Sequence, residues 1–125
     1  MGCERFIGMR YRLGADGTDG EIDCIHLVYA VLKDLGISTP PLQASWYGYP
    51  TVPICRALLT WGKRIERPAY DGDVSLLMGG HAAFGVTWQG GILCISSLSE
   101  RVIWCPIAVP QIRSTFRHSS RLNVS

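Results

Sequence analysis

The sequence has no apolar run near the roughly 20 residues that a membrane-spanning helix needs. Its first residues, MGCERFIGMRYR, are charged from Glu4 onward and lack the apolar stretch of a secretory leader. Met1-Gly2-Cys3 opens like an N-myristoylation signal, but Phe6 stands where Ser or Thr is expected. The five cysteines, at 3, 24, 55, 94 and 105, are odd in number and contain no C-x-x-C pair. That speaks against a zinc ribbon or a disulfide framework, and no metal or other cofactor is expected. With the missing leader, it points to synthesis in a reducing cytoplasm. Strong charge of either sign is also lacking. Twelve Lys+Arg against ten Asp+Glu leave a formal net charge of +2. A balance that small argues against a dedicated nucleic-acid binder or a polybasic membrane module. There is no internal repeat and no low-complexity tract.

What is present is a globular composition, 47% hydrophobic and 18% charged over 125 residues. We expect one domain over 1–125, with a core at about 3–108 and a fraying tail at 109–125. From Arg101 onward there are four arginines and no acid, and from Asp16 to Asp23 four acids and no base. Both stretches read as solvated segments.

The pattern divides in two. Residues 3–9 suit a short helix, and 10–22, with three glycines, suit a loop. Over 24–36, Leu27, Val28, Val31, Leu32 and Leu35 recur at helical spacing. Asp23 is placed as N-cap and Gly36 as C-cap. A Pro- and aromatic-rich loop follows at 37–53, and a second helix is predicted over 53–64 with Pro53 in its first turn. Beyond Asp71-Gly72-Asp73 come four strand-like runs, 73–78, 81–88, 91–97 and 101–108, with turns at Gly79-Gly80, Gln89-Gly90 and Ser99-Glu100. Helices first and an antiparallel meander second predict an α+β fold, with helices packed on a sheet of four or five strands.

Cys24 differs from the other cysteines. Cys55, Cys94 and Cys105 lie in apolar runs and read as buried small hydrophobes. Cys24 opens a helix after a polar loop, where free N–H groups and the helix dipole favour a thiolate. A thiolate nucleophile needs an acid/base partner. His26 is two residues away and points elsewhere on a helix, and His118 lies in the expected tail. His81 opens a strand. Alternation sets His81, Ala83, Gly85 and Thr87 on one face, and those small residues would let a helix approach closely there. A core cysteine and a turn histidine remain the bland alternative.

RYRLGADGTDGEIDCIHLVYAVLKDLGI resembles the nucleophile region of the NlpC family of bacterial cell-wall cysteine peptidases, whose pattern runs like P-Y-x-W-G-G…G-x-D-C-S-G-L-V. Tyr11, Gly14, Asp23, Cys24, Leu27 and Val28 fall on it. DGDVSLLMGGHAAFGVTW is similar to the family's P-G-D-L-x-x-F…H-V-G-I-Y-V, with Gly72-Asp73 and His81 at matching places. The resemblance implies a papain-like α+β fold and hydrolysis of an amide bond in a peptidoglycan stem peptide. Cys24 would be the nucleophile and His81 the acid/base. Tyr11 and Asp23 would border the substrate. Trp46, in the aromatic loop with Tyr47 and Tyr49, would line the groove or else cover a core edge. Leu13 replaces the family's Trp, and Ile25-His26 replaces its Ser-Gly. At the third catalytic position, where the family has His, Asn or Gln, the strand reads ILCISS; Ser96 is the expected orienting group, with Ser97 or a backbone carbonyl as alternatives. Standalone copies of such a domain occur in phage tails and as delivered effectors. The expected partners are therefore stem peptides and tail or secretion-machine proteins, and the expected destination is the virion tail or the cell wall. The rival reading is a non-catalytic binding or assembly module on the same fold; a related amidase or acyltransferase is a third.

Overall fold

The computed structural model describes residues 2–39, 57–78, 84–96 and 98–121. A 3-10 turn, Cys3–Phe6, leads into two short parallel strands, β1 (Arg10–Tyr11) and β2 (Glu21–Ile22). Helix α1 (Cys24–Asp34) follows. The remaining strands are β3 (Gly62–Ile65), β4 (Val74–Leu77), β5 (Phe84–Trp88), β6 (Gly91–Ile95), β7 (Val102–Pro106) and β8 (Ile112–His118). They form a six-stranded antiparallel sheet in the order β3-β8-β4-β5-β6-β7. Among the described residues, no helix is long and apolar enough to cross a membrane.

The fold is α+β as the pattern predicted, with α1 where its periodicity put it. Asp23 caps its N-terminus. At the other end Ile37 N–H donates to the Leu32 carbonyl at 2.9 Å, and Gly36 N–H to that of Lys33 at 3.1 Å. Gly36 sits at φ +73°, the left-handed position that a glycine-ended helix uses. Leu27, Val28, Val31 and Leu32 are buried against β5 and β6.

The loop expected over 10–22 begins and ends in the two-residue strands β1 and β2, and two strands of the main sheet were not foreseen either. Of the helix predicted over 53–64, residues 57–61 are helical, but Gly62–Ile65 form β3. Gly62 allows the change of direction because the β8 backbone crosses close to it; a Cβ there would lie 2.0 Å from the Arg117 carbonyl oxygen. The expected tail after 108 is likewise overturned. Ile112–His118 lie inside the sheet, between β3 and β4. Thr115 and Phe116 are buried there, and Arg117 clamps the buried Asp73 with two 2.8 Å hydrogen bonds. Polar side chains and arginines gave this strand the look of a terminus. The edges of β3 and β4 that it joins become visible only in the pairing.

A second correction concerns the faces of the sheet. The small-residue face of β5 was expected to meet the helix. Instead Phe84, Val86 and Trp88 join the α1 core, with Leu93, Ile95, Val102 and Phe116. Gly85 faces the other way, where an added Cβ would meet Ile92 and Leu77. That opposite face holds its own apolar cluster of Leu77, Ile92, Cys94 and Cys105, flanked by Ile103, Ile107 and Ile112. With apolar residues on both faces, alternation alone does not say which face takes the helix. The larger side chains do, because they bury more apolar area against it. Cys94 and Cys105 are thus buried hydrophobes as expected, while Cys55 lies outside the described residues.

Candidate active site

The loop from β1 to β2 turns through Gly14, Gly17 and Gly20, all at positive φ. It returns the chain so that Asp23 is buried at 1% exposure. One carboxylate oxygen of Asp23 accepts the Gly14 N–H at 2.9 Å; the other accepts the His26 N–H at 2.7 Å and meets His26 Nδ1 at 2.8 Å. Asp23, expected to border the substrate, therefore acts as the inward-facing N-cap that joins the glycine loop to α1. His26 is held against that carboxylate, which fits its dismissal as partner for the thiol.

Cys24, half-buried, starts the first turn of α1. Burial first, and the charge of Asp23 second, push its thiol up to about 12. The backbone amides of Cys24, Ile25 and Phe84 act the other way. The helix start thus favours the thiolate as anticipated, but desolvation and the cap carboxylate outweigh it. The Phe84 amide is informative about place: the sulfur lies against the first residue of β5. No side-chain signal in the sequence could have revealed it.

Tyr11 packs against the core beside Cys24. Burial raises its phenol pKa, and the neighbouring Cys24, Asp23 and Glu100 raise it further. The sequence-matched pair Tyr11 and Cys24 is therefore brought together. Ser96 follows β6 with its hydroxyl turned into the β6–β7 connection, where it accepts the N–H groups of Leu98 at 3.2 Å and Ser99 at 3.3 Å. His81, Trp46 and Ser97 lie outside the described residues. His118, expected in a tail, belongs to β8, with Nδ1 2.7 Å from Ser120 Oγ and its ring against Trp61. Among the described residues no group of His, Cys, Asp and Glu gathers in a metal-holding arrangement.

Two hollows are close by. A groove of about 550 Å³ runs along the outer side of α1, past His26, Tyr29 and Lys33. Cys24 does not line it. A smaller polar hollow of about 320 Å³ is lined by Arg10, Tyr11, Glu21, Ser99, Glu100 and Arg101. Tyr11 joins this second hollow to the thiol. Arg10, Glu100 and Arg101 went unremarked as site residues in the sequence, because the turn that brings them to Tyr11 is a contact between β1 and the start of β7.

No protein-family model matches the chain, and no curated protein matches it. The structure is similar to that of NlpC1 from Trichomonas vaginalis, with a TM-score of 0.64 and 18% identity over 93% of this chain. NlpC2 from the same organism gives 0.64 and 17% over 93%. The fold is thus of the NlpC type. The chain spans 41% and 44% of the length of those two proteins, less than half of either.

Proposed function

We propose that this chain is a cysteine hydrolase that cleaves an amide bond in bacterial cell-wall stem peptides, with Cys24 as nucleophile and His81 as acid/base. The observation that supports it most is the seat of the thiol. Cys24 opens α1 behind a buried N-cap and lies against the first amide of β5, the strand that His81 precedes by three residues. The reading requires the chain before β5 to depart from strict alternation, which would set His81 on the Gly85 face, away from α1. The fold likeness agrees with that arrangement.

In the proposed reaction His81 takes the thiol proton as sulfur attacks the carbonyl. The Cys24 N–H at the helix start helps hold the oxyanion. The C–N bond then breaks as the imidazolium gives its proton to the leaving amine, leaving a thioester. Water, deprotonated by His81, releases the acid and restores the thiol. A thiol held near 12 by burial would stay protonated at neutral pH without a cation beside it. The imidazolium is the group asked to supply that charge.

Ser96 as orienting group is part of the proposal, and its hydroxyl must then share itself with the turn amides it already serves. That occupancy favours the second reading, a binding or assembly module on the same fold. The deciding experiment is digestion of purified wall fragments by wild type, Cys24→Ala and His81→Ala, with products read by mass spectrometry. New amine and carboxylate ends made by wild type alone support the hydrolase. Intact fragments with all three proteins, alongside retained binding, support the module.

A further inference from the structure

The hollow beside Tyr11 carries an unusual pair of charges. Arg10 and Arg101 face each other as an antiparallel bridge. The flanking hydrogen bonds, Tyr11 N–H to Glu100 O at 2.8 Å and Val102 N–H to Met9 O at 2.9 Å, make it a non-hydrogen-bonded pair. Side chains stand closest in pairs of that kind. Like charges directly opposite are destabilising, yet neither guanidinium has a carboxylate within ion-pair distance among the described residues. Arg101 donates one N–H to the Gly8 carbonyl at 2.9 Å and keeps its other donors. Of the two acids in the hollow, Glu21 lies 2.9 Å from Arg12, a guanidinium that Asp19 also approaches at 3.6 Å. Glu100 has no cation within ion-pair distance among the described residues, so the two arginines and two acids of the hollow balance in formal charge while the two guanidinium groups themselves stay unpaired.

We propose that Arg10 and Arg101 form a carboxylate-binding subsite, which holds a free carboxylate of the peptide that Cys24 attacks, with Tyr11 as the wall between subsite and nucleophile. The inference rests on the hydrolase reading above for the reaction, but not for the binding. Its volume, about 320 Å³, falls at the low end of the roughly 300–1,000 Å³ range of small-molecule sites and suits one residue of a peptide rather than a long segment. Two planar forks side by side can take both oxygens of a carboxylate, which an ammonium or a neutral amide cannot match. An anion between them would also relieve their mutual repulsion. Ser99 supplies a hydroxyl on the same rim.

The test compares a synthetic stem tetrapeptide bearing a free C-terminal carboxylate with its C-terminal amide. Wild type should show kcat/KM roughly ten-fold higher on the acid, the scale of one charge-assisted hydrogen bond. In Arg10→Gln that ratio should collapse toward one through a rise in KM for the acid, and Arg10→Lys should fall between. Equal kcat/KM for both peptides in wild type, or an undiminished ratio in Arg10→Gln, overturns the subsite. If wild type cleaves neither peptide, the hydrolase reading fails, and calorimetric titration of Cys24→Ala decides the subsite alone. Tighter binding of the acid that is lost in Cys24→Ala/Arg10→Gln sustains it; equal binding of acid and amide overturns it.

Discussion

Two carboxylates are buried to the same depth in this protein, and they are treated in opposite ways. Asp23 and Asp73 are each 1% exposed. Each accepts two backbone N–H groups, from Gly14 and His26 in one case and from Ala69 and Tyr70 at 2.9 Å in the other. Asp73 is then neutralised by a guanidinium, bidentate from Arg117, whose far side covers the Tyr70 ring. Asp23 has an imidazole, His26, instead. The first carboxylate is locked to a group that stays charged at any working pH. Asp23 is held against that imidazole instead, and its own field reaches the nucleophile. The permanent pair ties a remote strand into the sheet. The pair with His26 stands where chemistry is proposed.

The largest effect should come from breaking the permanent pair. Arg117→Ala leaves Asp73 buried and uncompensated, and we expect a loss of about 3–5 kcal/mol in denaturant unfolding. Asp73→Asn/Arg117→Met, which removes both charges, should lose much less. If the double variant is as unstable as Arg117→Ala, packing of β8 and not the stranded charge sets the cost.

Gly36→Ala is a measure of a local signal away from both carboxylates. Nothing lies within 4 Å of the added Cβ, so the cost is that of the left-handed backbone at φ +73°. Thermal unfolding should report about 1–2 kcal/mol. A neutral result would mean that the Leu32–Ile37 closure survives in another conformation.

Asp23→Asn sharpens the contrast at the nucleophile. Asparagine still caps a helix, but its amide nitrogen replaces one of the two accepting oxygens and leaves the Gly14 or the His26 N–H unmatched, so stability should fall by about 1–2 kcal/mol. The charge that helps hold the thiol up is gone, so the thiol pKa should fall and iodoacetamide should label Cys24 faster at neutral pH. Slower labelling would show that the carboxylate activates the sulfur, and would reverse the electrostatic account.

The smallest effect is a slope with pH. Burial raises the thiols of Cys24 and Cys94 to about 12 and that of Cys3 to about 11, whereas an unfolded chain ionises them near about 8.5. Above that value the unfolded chain binds fewer protons than the folded one. Stability from these groups is therefore complete below about pH 8.5 and is lost progressively as pH rises toward 11–12. The midpoint of thermal unfolding should drop over that window, and the drop should be shallower in Cys94→Ala. A parallel drop in both proteins would assign it to other groups.

Much of this was legible locally. Asp23, the 24–36 periodicity and Gly36 are consecutive signals, and a helix closes its hydrogen bonds within four residues, so the cap, the helix and the position of Cys24 could be read directly. The β5–β6 turn is of the same kind: Gln89 and Gly90 both take positive φ, the two-residue hairpin geometry. Asp73 also matched the pattern, but its partner stands 44 residues away, and nothing near Arg117 announces it.

The amino-acid sequence by itself determined α1 with its two ends and the β5–β6 hairpin, and that one cysteine stands at a helix start. Those choices depend on neighbours a few residues apart. Tertiary structure alone decided that Ile112–His118 enters the sheet between β3 and β4, that α1 covers the Phe84–Val86 face, and that Arg10 meets Arg101. Strand pairing is chosen among partners distant in the chain, by total buried area and satisfied backbone groups, and a segment's own period carries no record of that choice.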